Sequence, residues 1–128
     1  MVFKVASRSF VALMGLVAQA LATDDSTYKI SEADIQSTEL SAHVVYGGGC
    51  RVHRFSLGVT GDFSEGNQIQ LPVEILHENN NDACERAIST LLHFNITPMI
   101  ESYKTLYQRE HGEFQMMLRG FGQLNVNF

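Results

Sequence analysis

Two short segments gather the side chains best suited to chemistry. One runs Gly47-Gly48-Gly49-Cys50-Arg51-Val52-His53, the other His77-Glu78-Asn79-Asn80-Asn81-Asp82-Ala83-Cys84. Each holds one cysteine and one histidine, and together they contain both cysteines of the chain. Two chemistries compete for them. Cys50 and Cys84 can form a disulfide around a loop of about 34 residues, worth ~3–4 kcal/mol through the constraint on the unfolded chain. Alternatively, two thiolates with the imidazoles of His53 and His77 make a donor set that suits tetrahedral zinc, or copper. The two arrangements exclude each other, because a disulfide consumes both sulfur ligands. A metal site compatible with the disulfide would use His53 and His77 with a loop acid, Glu78 or Asp82. The same loop is oxygen-rich enough to suggest Ca²⁺, but it lacks the D-x-[DN]-x-[DN]-G spacing of a calcium loop. Asn and Asp are also the usual turn residues, and turn chemistry is the expected role of the Asn79-Asn80-Asn81 run.

Other chemistries find few residues. The sequence contains no G-x-S-x-G elbow, no P-loop, no dinucleotide fingerprint and no H-E-x-x-H pair. The acids Glu65, Glu74, Glu78 and Asp82 give no pair at a definable catalytic separation. A non-enzyme with no catalytic residues and no obligate cofactor is the expectation.

The elements that must position the Cys/His segments read mostly as strands. Leu40, Ala42, Val44 and Tyr46 alternate before the glycines, and Phe55, Leu57 and Val59 alternate after them. Ile69, Leu71, Val73 and Ile75 form the cleanest period-two run, with Pro72 on its polar face, which predicts an edge strand. Ile88, Leu92, Phe94 and Ile96 follow Cys84 in one phase. Thr97 reads as an N-cap with Pro98 at the first helical position, and Met99, Ile100, Tyr103, Leu106 and Tyr107 fall at helical spacing. Phe114, Met116 and Leu118, then Leu124, Val126 and Phe128, predict two closing strands, and Tyr28, Ile30 and Ile35 a weaker first one. The expected fold is mainly β: an antiparallel β-sandwich or open barrel of six to seven strands, with one amphipathic helix near residues 98–111. His53 is in phase with Phe55, and His77 with Ile75, so both imidazoles should lie where a core-facing side runs out at a strand end.

The start of the chain argues for the compartment. Lys4 and Arg8 precede the uncharged run Phe10–Ala18, and Ala20-Leu21-Ala22 supplies small residues at both A-x-A positions. This is the pattern of a cleaved signal peptide over residues 1–22, which leaves a single exported domain over 23–128. The uncharged stretch is too short for the ~20 residues that span a bilayer, so no membrane insertion is expected after cleavage. The whole chain carries −5, and losing Lys4 and Arg8 takes the remainder to about −7. An acidic exported domain should avoid nucleic acid and anionic membranes. Periplasmic or secreted protein is the expected location. In such an oxidising compartment two cysteines normally pair, which makes Cys50–Cys84 the leading expectation over the metal site.

The run Tyr46-Gly47-Gly48-Gly49-Cys50-x-x-His53-x-Phe55-x-Leu57, a PVEILH strand and a D-x-C loop together resemble a pattern in small exported bacterial β-domain proteins of unknown activity. That resemblance covers about Val44 to Ile100 and implies a bacterial exported β-domain, with no activity attached. The leading expectation is therefore a disulfide-stabilised exported binding or structural domain, its partner an envelope or extracellular protein or a small ligand. The alternatives are a metal-binding exported protein using His53 and His77, and a small periplasmic enzyme inhibitor.

Overall fold

The computed structural model describes residues 27–128; the signal peptide expected over 1–22, with cleavage before Thr23, lies outside the described residues. Among the described residues, seven strands and one helix follow in the order β1 (Lys29–Gln36), β2 (Glu39–Gly48), β3 (Arg54–Val59), β4 (Gln70–Glu78), β5 (Arg86–Asn95), α1 (Thr97–Tyr107), β6 (Glu113–Leu118) and β7 (Gly122–Asn127). They form two sheets, ordered β1-β2-β5 and β3-β4-β6-β7. The fold is mainly β and sandwich-like, as the period-two patterns imply.

Each central strand buries one face. Leu40, Ala42 and Val44 of β2 and Leu71, Val73 and Ile75 of β4 are buried, and Met116, Leu118 and Val126 join them from β6 and β7. Burying a side chain of this size is worth about 1.5–3 kcal/mol each, and the alternating polar residues keep the outer faces in water. One end of the core is aromatic. Tyr103 of α1 packs against Phe63, Tyr107, Phe114 and Phe128 at ring separations of 5.9, 4.8, 5.8 and 5.1 Å. Gly112 makes room for it, since a Cβ there would lie 2.6 Å from the Tyr103 ring.

Three details depart from the pattern read in the sequence. First, β4 and β6 pair in parallel, Leu71 opposite Met116, whereas all-antiparallel neighbours are expected. Between them the chain visits the other sheet as β5 and crosses back through α1, which supplies the long connection that a parallel pair needs. Second, Pro72 lies in an interior strand, not at an edge. Its carbonyl accepts from the amide of Thr60, just past the end of β3, so the donor that proline lacks is missed only where that ladder is finishing. Third, the helix spans Thr97–Tyr107 rather than 98–111. Its N-cap is Ile96, not Thr97, which already lies inside the helix; the Ile96 carbonyl accepts from Met99 and Ile100. Gln108 ends it in the left-handed region, φ 54°, where the polar run 108–111 offers nothing more to bury. Among the described residues, no helix is long and apolar enough to cross a membrane.

Candidate functional site

The two Cys/His segments do meet. β2 and β5 are paired along their whole length, ending with Gly48 opposite Arg86. This sets the loop that leaves β2 against the loop that enters β5, and Cys50 and Cys84 are joined there by a disulfide with their Cα atoms 5.9 Å apart. In the other sheet, Phe55 of β3 is opposite His77 of β4. The inward phase anticipated for His53 and His77 thus brings their rings together beside the disulfide.

The three polar side chains form a chain of hydrogen bonds. His53 Nδ1 lies 2.8 Å from His77 Nε2, and His53 Nε2 lies 2.8 Å from Asp82 Oδ2. The side chains of His53 and Asp82 are 2% and 0% exposed, so the pair is shut away from water. Asp82 also accepts backbone hydrogen bonds: Oδ2 from Cys50 and Arg51 at 3.1 and 3.0 Å, Oδ1 from Cys84 at 3.0 Å. The His53 hydrogen bond above all, then the three amides, hold the Asp82 carboxyl far below the usual carboxylate range, against the burial that alone would raise it. An ionised carboxylate only accepts, so the His53 nitrogen facing it carries the proton. The His53–His77 contact in turn requires a single proton between its two nitrogens.

Aromatic rings enclose this polar chain. Phe55 stacks on His77 at 4.5 Å and 5°, and Tyr46 packs 4.6 Å from His53 and 5.2 Å from His77. Tyr28 approaches His77 edge-on while its hydroxyl donates to the Ile75 carbonyl at 2.6 Å. Gly48 supplies the space, for a Cβ there would stand 2.6 Å from His53 Nε2 and 3.0 Å from Asp82 Oδ2. Gly49 takes φ 115°, a conformation open to glycine and little else. Two of the three glycines before Cys50 are therefore steric requirements of the site.

The candidate metal ligands are differently placed. Cys50, Asp82 and Cys84 offer atoms within 4.8 Å of one another, but both sulfurs are spent in the disulfide, which leaves this group one carboxylate. A metal on His53 would have to displace either His77 or Asp82 from a ring nitrogen. Glu78 is exposed and lines a shallow depression together with Val52, Arg54, His77 and the three asparagines. Asn80 and Asn81 both adopt left-handed backbone, φ 57° and 55°, and Asn79 Oδ1 accepts from the Asn81 amide; this is the turn chemistry expected of that run. The role of Asp82 as the clamp on both cysteine-bearing loops is the residue function that sequence spacing did not reveal. In the sequence Asp82 shows only as a loop acid and turn former two residues before Cys84.

In comparisons with known proteins, the chain matches no family model, no curated protein and no solved structure.

Proposed function

We propose that the chain is an exported, non-enzymatic binding domain that works in an oxidising compartment. The observation that carries this reading is the Cys50–Cys84 disulfide, a bond that forms and persists outside the reducing cytoplasm. The chemistry around it supports a brace rather than a reaction centre. Both ring nitrogens of His53 and both oxygens of Asp82 are committed to neighbours. His77, at the far end of the relay, is 7% exposed and stacked on Phe55. A general base needs reach to a substrate proton, and His53 and Asp82 spend theirs on each other, on His77 and on the two loops.

The test is intact mass of protein expressed with its own leader and recovered from the extracytoplasmic fraction, before and after treatment with a thiol-alkylating reagent. The expected mass is that of the chain from Thr23, lighter by the two hydrogen atoms lost on disulfide formation and unchanged by the reagent. Retention of residues 1–22 in the cytoplasm, or two alkylated thiols in native protein, overturns the reading.

A further inference from the structure

Among the described residues, one side of the sandwich is left open. β3 ends one sheet and β5 ends the other, and the two approach without pairing. Their inward side chains Phe55, Leu57, Leu92 and Phe94 are only partly buried, while the equivalent positions of the central strands β2 and β4 are buried. Toward α1 this open side becomes a groove of about 700 Å³. Val59 and Leu106 form opposite lips, 50% and 58% exposed, and Leu71 and Met99 line it deeper. Asp62 and Glu65 stand at the rim, no basic residue lines it, and neither acid is in an ion pair among the described residues.

The free edge of β3 has a defined backbone pattern. The register runs Val59 opposite Val73, and the Thr60 amide bonds to the Pro72 carbonyl. Hydrogen-bonded pairs alternate along an antiparallel ladder, so the residues bonded to β4 are Arg54, Ser56 and Gly58. The amides and carbonyls of Phe55, Leu57 and Val59 therefore point away from β4, to the open side. A strand edge of this kind, with apolar pockets on its inward side, is the arrangement that captures an extended peptide by strand addition.

We propose that β3 and the adjoining groove bind an extended segment of a partner protein, with alternating apolar side chains and a lysine or arginine that meets Asp62 and Glu65. This specifies the binding face of the domain proposed above and rests on that reading. The choice of occupant follows from charge. Among the described residues the groove's only charged groups are acids, and the chain as a whole carries −5, so a basic strand is attracted whereas a second copy of the chain is repelled. A small apolar molecule would leave the row of outward amides unused.

The test is selection of random twelve-residue peptides on phage against the full exported protein. Affinity of an enriched peptide is then measured by fluorescence anisotropy, and its footprint by amide hydrogen exchange. Expected are sequences with period-two apolar residues and a basic residue, with slowed exchange at Phe55, Leu57 and Val59. Val59→Pro removes one outward amide and should weaken binding about tenfold relative to Val59→Ala, which keeps it. Asp62→Asn with Glu65→Gln should cost about tenfold and flatten the salt dependence, which keeps the proposal testable if the proline variant does not fold. No enrichment, enriched peptides without a basic residue, or protection at the β1 or β7 edge instead, would overturn the site. Protection of the same three amides by self-association, without peptide, would do so too. None of these outcomes bears on export or the disulfide, which the mass measurement decides separately.

Discussion

A methyl group on Gly48 would stand 2.6 Å from Nε2 of His53, the nitrogen that donates to Asp82. The backbone of β2 and the imidazole are thus in contact with nothing between them. Gly48→Ala must push the ring off its hydrogen bond or shift the strand, and overpacking of this kind costs about 1–3 kcal/mol. In urea titrations, the double variant Gly48→Ala/His53→Ala should be more stable than the sum of the single losses requires, because the atom that is struck has gone. Additive losses would mean that the close approach is relieved elsewhere.

Asp82 gives a distinct pH signature. Its carboxyl titrates below the ordinary value in the folded chain, so on acidification the unfolded chain takes up this proton first. The stability it contributes is complete above about pH 5 and drains as the pH falls through about 4 toward the folded value. Asp82→Asn should lower Tm by about 5–15 °C at neutral pH. It should also make the acid limb between about pH 4 and pH 2 shallower than in the wild type. Parallel acid limbs in a thermal-melt series would remove Asp82 from the account.

Loss of the disulfide should be additive to neither. Cys50→Ser/Cys84→Ser opens a loop with a sequence separation of 34 and should cost about 2–5 kcal/mol in urea, with the far-UV spectrum retained because the strands on both sides pair independently of it. A variant equal to wild type in stability would show that Asp82 alone suffices to join the loops.

Zinc or copper should not stabilise the oxidised protein. Each His53 nitrogen is already engaged, so a stoichiometric ion gains one ligand only by breaking an enclosed hydrogen bond. The expected thermal shift with one equivalent of either metal is below 1 °C, a bound set by ~0.2 kcal/mol or less. A rise of several degrees that disappears in His53→Ala/His77→Ala would establish the metal site.

The parts of the molecule legible in the sequence are those governed by local period. The run from Ile69 to Ile75 alternates because β4 has an inside and an outside, and the same rule placed His53 and His77 on the inner side. Parallel pairing of β4 with β6 was not legible, because a strand alternates identically whichever way its neighbour runs. Pro72 misled because its cost depends on where the facing strand stops, a property of Thr60 rather than of the proline. Asp82 was visible as a turn former and oxygen donor, but two of its amide partners, Cys50 and Arg51, lie more than thirty residues upstream. No short-range pattern encodes such a contact.

The single carboxylate of Asp82 receives the amides of both cysteines, one on each oxygen. The two sulfur-bearing residues are therefore brought into alignment by an anion, independently of sulfur chemistry. Once the two loops dock, this template raises the effective molarity of one thiol toward the other. Oxidation of the docked loops then completes a geometry that the carboxylate already sets, instead of having to search for it.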